Sequence, residues 1–288
     1  MKSITTLVDD IHSTVGAVED VVFPVNMTHG IGEAYVKQVN KRAVKKRDPK
    51  TIYFSELGDV CQRRMWFKHH TPEKGEVLRP ETRIKFLYGD MLESLVLQLA
   101  TDAGHDVSAE QQEVEYVNDA TGWRVRGRID AVVDGVVVDV KSVTKQSERK
   151  FHDGLVDDPF GYLGQLNGYA TVLKNPNMGF LTIQKELGHI NYFPFTADAE
   201  MFGHGFARAV KAIDRDDPVE KVMASVPQSA TSKNEKLCAT CSYCPFKASC
   251  FPDVRAFAYS NKVEWLTKVV DTPRVPEIDW KKGITIET

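Results

Sequence analysis

The chain has 288 residues, enough to bury a full core as one large domain or as one domain with an appendage. With 42% hydrophobic and 27% charged residues its composition is that of an ordinary globular protein, and a formal net charge of −3 excludes a global attraction to nucleic acid. No apolar run approaches the roughly 20 residues that span a bilayer, and Asp9 and Asp10 stand where a secretory leader needs apolar residues, so a cytoplasmic protein without membrane contact is expected.

Ile4, Leu7, Val8, Ile11, Val15 and Val18 recur at helical spacing, and a second helix is expected within residues 32–50, ending in the basic run Lys41–Lys50. That run reads first as a solvated surface and second as a phosphate contact. Residues 1–50 are therefore taken as a helical N-terminal extension. Ser55 is placed to cap a helix running through Cys61 to Lys68. The clearest helix covers about Thr82 to Asp102, with Phe86, Leu92, Leu95, Val96, Leu99 and Ala103 as its buried stripe and Gly104 as its end. Glu93 borders that stripe, either as a surface residue or as a carboxylate aimed at the sheet.

A strand at Glu113 to Val117 leads into GRIDAVVDGVVVDVK, Gly127 to Lys141. Asp134-Gly135 signals a two-residue turn, because both residues tolerate positive φ. With Val133 opposite Val136, the register sets Asp130 against Asp139. Alternation then puts Trp123, Val125, Ile129, Ala131, Val133, Val136, Val138 and Val140 on a core face. Arg124, Arg126, Arg128, Asp130, Val137, Asp139 and Lys141 fall on the other. Opposed carboxylates are destabilising in an empty sheet. A hard divalent cation between them removes the repulsion, while a solvated charged face is the plain alternative.

Ser142 to Pro159 is polar and reads as a mobile loop. A helix from about Tyr162 to Lys174 puts Gln165 and Tyr169 on one face. Strands at Met178–Glu186 and Ile190–Phe195 and a helix over about Asp198–Asp214 follow. Helices and strands in this order make an α/β or α+β layered domain. Four of the five cysteines crowd into CATCSYCPFKASC, at Cys238, Cys241, Cys244 and Cys250. Without a leader, such spacing suggests metal before disulfide. It is too compressed for the usual pairs of zinc ligands, although zinc stays open, and closely spaced thiolates of this kind hold iron–sulfur clusters. Cys61 stands apart.

Together these residues resemble the PD-(D/E)XK nuclease superfamily, and within it the RecB-like exonucleases with an iron–sulfur cluster, the AddB and CRISPR-associated exonuclease type. GRID matches the first acidic motif at Asp130, DVK the (D/E)XK motif at Asp139 and Lys141, and QLNGY the Q-x3-Y motif at Gln165 and Tyr169. GDMLE puts Glu93 where the family often has histidine. The resemblance implies a restriction-endonuclease-like α/β core over residues 51–252, closed by a 4Fe-4S cluster on Cys61, Cys241, Cys244 and Cys250, with 253–288 as a tail. It implies a Mg²⁺ or Mn²⁺ ion held by Glu93, Asp130, Asp139 and the Val140 carbonyl. The implied activity is hydrolysis of DNA phosphodiester bonds, on single strands or at ends, alongside a recombination or replication protein partner. A catalytically weak DNA-binding scaffold and a zinc-binding module are the alternatives.

Overall fold

A computed structural model describes residues 2–17, 30–33, 35–36, 48–76, 80–260 and 262–280. The described helices are α1 (Leu7–Gly16), α2 (Phe54–Leu57), α3 (Gln62–His70), α4 (Pro80–Asp102), α5 (Lys145–His152), α6 (Tyr162–Val172), α7 (Ala199–Ile213), α8 (Ala239–Ser242) and α9 (Lys247–Cys250). The strands are β1 (Thr51–Tyr53), β2 (Val107–Ser108), β3 (Glu113–Val117), β4 (Arg124–Arg128), β5 (Ala131–Val133), β6 (Val136–Val143), β7 (Asn177–Gln184), β8 (Ile190–Thr196), β9 (Ser225–Pro227), β10 (Glu235–Leu237), β11 (Arg255–Tyr259), β12 (Lys262–Lys268) and β13 (Glu277–Ile278). They form two compact units, Met1–Gly58 with Leu78–Ala209, and Asp59–Val77 with Val210–Thr288. No helix among the described residues is long and apolar enough to cross a membrane.

The first unit is a mixed α/β layer structure. Its larger sheet has the order β2-β5-β6-β7-β8, antiparallel except for the parallel pair β6–β7. Parallel neighbours need a long crossover, and α5 and α6 supply it. The turn at Asp134-Gly135 forms as expected, with φ of +49° and +80°. β5 pairs with β6 in the expected register, Ala131 with Val138 and Val133 with Val136. Val138 and Val140 therefore enter the core with Ala131, Val133 and Leu181, packed against Leu7 and Ile11 of α1 and Val96, Leu99 and Ala100 of α4. Asp139 and Lys141 point to the opposite face, beside Phe180 and Thr182 of β7.

Four expectations need correction. The hairpin does not continue as one ladder into Arg124–Arg128: the chain breaks at Ile129–Asp130, and β4 joins a separate sheet, β1-β4-β3. Asp130 thus sits one residue beyond the β5–β6 ladder rather than paired with Asp139. Phe86 is 49% exposed, because the first turns of α4, from Arg83 to Tyr88, are exposed on all sides. The buried stripe starts lower, and α4 ends at Gly104 (φ +83°) with the N–H of His105 bonded to the Ala100 carbonyl and that of Gly104 to Thr101, which satisfies two terminal carbonyls. Ser55 lies inside α2 and caps nothing; the Glu56 carboxylate accepts the Tyr53 N–H at the start of α2. Finally, 142–159 is no loose loop, since Thr144 caps α5 by accepting the Ser147 N–H. Of the helix expected in 32–50, residues 32–33 and 35–36 are helical, continuing from 30–31; most of the basic run lies outside the described residues.

The second unit holds an antiparallel sheet of order β13-β11-β12-β10-β9, together with α3, α8 and α9. Trp66 and Phe67 of α3 pack on Cys244 and Phe246, the Phe67 and Phe246 rings stacking at 5.5 Å. Trp66 Nε1 donates to the Arg215 carbonyl at 2.9 Å, so its one polar atom is satisfied.

Candidate active site and cysteine centre

The acidic residues of the first unit meet where the β4–β5 break, β6 and α4 come together. Asp130 Oδ2 accepts the Val140 N–H at 2.7 Å, which pins the break against the middle of β6. Asp139 is 3% exposed; its Oδ2 forms an ion pair with Lys141 and has no aligned hydrogen-bond donor. Burial, followed by the charges of Glu93 and Asp139, pushes the Asp130 carboxyl well above the usual carboxylate range. Burial alone would lower the Lys141 ammonium, but the carboxylates of Asp139 and Asp130 outweigh it and hold the lysine above its ordinary value.

α6 closes this face. Gln165 Nε2 approaches Asp139 Oδ1 at 3.5 Å, the outer limit of a hydrogen bond. The Tyr169 ring packs against Phe54 at 4.2 Å, tilted by 32°, and its hydroxyl accepts the Arg128 N–H. Burial, then the charges of Asp130 and Asp139, raise that phenol and keep it neutral. The approach depends on glycine: a Cβ on Gly127 would overlap the Tyr169 hydroxyl, and one on Gly164 would overlap the Gly58 backbone. Asp130, Asp139, Lys141, Gln165 and Tyr169 are thereby gathered around the β4–β5 break, with Glu93 of α4 near enough for its charge to act on Asp130, whereas Arg124 and Arg126 lie on β4 with Glu115, at 3.7 and 3.3 Å.

Three neighbours escaped the sequence reading. Gln111 Nε2 donates to Glu93 Oε1 at 2.7 Å, and its N–H donates to the Asp130 carbonyl at 3.0 Å. Its left-handed φ of +54° had no glycine or asparagine to announce it. Tyr162 lies 5.1 Å beneath the Lys141 ammonium; its spacing of three from Gln165 was the available signal. Glu148 of α5, buried, accepts from Thr182, Gln184 and Asn191 on the same face of the sheet.

The donor set suits a hard divalent cation, since three acidic groups in mutual repulsion are what such an ion relieves. As they stand, among the described residues, no three His, Cys, Asp or Glu side chains converge closely enough to bind one ion.

In the second unit, Cys61 caps α3, its Sγ accepting the Arg64 N–H at 3.4 Å. Asp59 holds this corner, with Oδ1 accepting the Cys61 N–H at 2.8 Å and both its oxygens bonded to the Arg64 guanidinium. Cys61, Cys241, Cys244 and Cys250 line one cavity together with Arg64 and Lys247; Cys238 is not among the lining residues. All five thiols are free. Burial raises Cys61, with the charge of Asp59 adding to it, and Cys241, with Cys238 beside it, and pushes Cys244 up to about 11. Bound metal deprotonates such thiols and satisfies them.

The profile of the PD-(D/E)XK nuclease superfamily matches residues 29–251. No curated protein matches the chain. Among solved structures, that of SSO0001 is similar at 16% identity over 79% of this chain and 96% of its own, with a TM-score of 0.46. An alkaline exonuclease, LHK-Exo from Laribacter hongkongensis, is similar at 13% identity over 57% of this chain and 87% of its own, with a TM-score of 0.43.

Proposed function

The chain belongs to the PD-(D/E)XK nuclease superfamily, and from that premise we propose that it is a metal-dependent deoxyribonuclease, an exonuclease acting on single-stranded DNA or DNA ends. The observation that carries this reading is the ion pair of buried Asp139 with half-buried Lys141 on β6, in the field of Asp130 and Glu93. Glu93, Asp130, Asp139 and the Val140 carbonyl would hold Mg²⁺ or Mn²⁺, which lowers the pKa of a bound water and offsets charge on the phosphoryl group. Lys141 stays protonated, so it positions the attacking water and neutralises developing oxyanion charge rather than acting as a base. Gln165 orients Asp139, and Tyr169 fixes Arg128 at the edge of the break.

The four cavity thiols of Cys61, Cys241, Cys244 and Cys250 would hold a 4Fe-4S cluster as a structural clamp for the second unit, with Arg64 and Lys247 offsetting its charge. Anaerobic purification followed by a visible spectrum and iron and zinc analysis tests this. Colourless protein with stoichiometric zinc would replace the cluster with a zinc site.

End-labelled linear and circular DNA, single- and double-stranded, incubated with Mg²⁺ or Mn²⁺, tests the activity. Asp130→Ala should abolish digestion, and Lys141→Ala should cut it by about 10²–10³-fold or more, both with unchanged circular dichroism. Undiminished digestion by both variants would refute the assignment. DNA retention without cleavage under any divalent metal would favour a binding scaffold, a reading to which the existing partners of Asp130 and Glu93 lend some support.

A further inference from the structure

Between β2 and β5 the chain crosses from the larger sheet of the first unit to the smaller one and back, and the two crossings lie side by side. Ser108 of β2 pairs with Val132 and Glu113 of β3 with Arg128, so the four residues 109–112 face the three residues 129–131. One residue in excess is what makes a β-bulge, a device that re-aims a side chain and is common beside active sites. The backbone turns left-handed at Ala109 and at Gln111, both at φ +54°, a region that glycine enters freely and other residues enter at a cost. The Gln112 N–H closes the turn on the Ala109 carbonyl at 3.0 Å. The turn also clasps the opposite crossing: Gln111 donates its N–H to the Asp130 carbonyl at 3.0 Å, and the Gln112 carbonyl accepts the Ile129 N–H at 3.1 Å. The Gln111 side chain is half-buried and reaches α4, where its Nε2 donates to Glu93 Oε1 at 2.7 Å.

A glutamine in left-handed backbone is strained where glycine would not be, and such strain gathers at functional sites. What glycine could not supply at 111 is the amide that reaches Glu93. One residue thus touches two sides of the acidic group, α4 through the Glu93 carboxylate and the β4–β5 break through the Asp130 backbone. Asp130 is fixed in turn to β6, where its Oδ2 accepts the Val140 N–H at 2.7 Å. We propose that Gln111 is a positioning residue for the metal site, holding Glu93 at a set distance from Asp130 so that both carboxylates serve one Mg²⁺ or Mn²⁺ ion. The proposal rests on the nuclease reading above and deepens it, by assigning part of the metal affinity to a residue outside the acidic, lysine and Gln165–Tyr169 motifs. Groups that orient metal ligands without touching the ion typically control about 10–100-fold in affinity.

The test uses the full chain and Mn²⁺ alone, without DNA, and follows by calorimetric titration the site that Asp130→Ala abolishes. Gln111→Met keeps the length of the side chain and removes its donor, and it should raise the Kd for Mn²⁺ by roughly tenfold or more. Gln111→Gly also removes the donor but frees the left-handed backbone. It should therefore unfold at a higher temperature than Gln111→Met and yet bind Mn²⁺ no more tightly. Ala109→Gly frees the same kind of backbone strain where the side chain is only a methyl group, and it should leave the Kd at the wild-type value. Wild-type affinity in Gln111→Met overturns the proposal and leaves the nuclease reading standing. Affinity that returns in Gln111→Gly together with stability, or that is lost in Ala109→Gly, also overturns it and makes the turn a structural support. If wild type shows no Mn²⁺ site that depends on Asp130, the nuclease reading fails and the positioning role fails with it.

Discussion

Glu148 is buried with three donors on its two oxygens, from Thr182 at 3.0 Å, Gln184 at 2.7 Å and Asn191 at 2.9 Å. Burial alone would raise its carboxyl, but the side-chain donors, Asn191 and Gln184 foremost, outweigh it and hold the group below its ordinary value of 4.5. A depressed carboxyl binds fewer protons folded than unfolded, so its stabilisation is complete above pH 4.5 and is lost as pH falls through the folded value. Glu148→Gln should therefore lower stability at pH 7 by about 1–3 kcal/mol, and urea midpoints should show the gap from wild type closing as pH falls below 4.5. A gap that stays constant from pH 7 to pH 3 would show that the three hydrogen bonds do not depend on the charge. None of this was legible beforehand, because the partners lie 34, 36 and 43 residues away. Asp130, Asp139 and Lys141 were legible, since each lies within a few residues of a strong turn signal.

At the scale of elements, glycine decides how closely α6 can approach. A Cβ on Gly164 would meet the backbone of Gly58, which cannot yield as a flexible side chain would. Gly164→Ala should cost about 1–3 kcal/mol by overpacking, despite the better helix propensity of alanine. Gly203 of α7 has nothing within 4 Å of its Cβ position, so Gly203→Ala should stabilise by about 0.4–1 kcal/mol. Thermal unfolding of the two variants gives shifts of opposite sign, and a shift of the same sign would mean that propensity, not contact, governs Gly164. Sequence periodicity placed α4, α6, β3, β7 and β8 to within a few residues. It failed at Ser142–Pro159, where a short polar helix buries only Glu148 and Phe151 and so leaves little apolar pattern to read.

At the scale of the molecule, the two units concentrate different chemistry: carboxylates and a lysine in one, thiols in the other. If the cavity thiols carry a cluster or metal, removing a ligand destabilises the second unit through lost binding energy. Cys241→Ser should lower the unfolding temperature by at least about 5 °C and reduce bound iron, whereas Cys238→Ser should leave both near wild type. Equal losses in the two variants would put Cys238 among the ligands. Cys61, 177 residues before Cys238 and isolated in sequence, lines the same cavity as Cys241, Cys244 and Cys250, at a corner where Asp59 binds the Cys61 N–H and the Arg64 guanidinium.

The sequence by itself determined the layered α/β class, the Asp134-Gly135 turn with its register, and the acidic and cysteine residue types, because each rests on local chemistry within a few residues. Only the tertiary structure decided that the strand breaks at Asp130 and that Gln111 and Tyr162 stand beside the site. Those features depend on segments distant in sequence filling the same space, and no local pattern records which of them will meet.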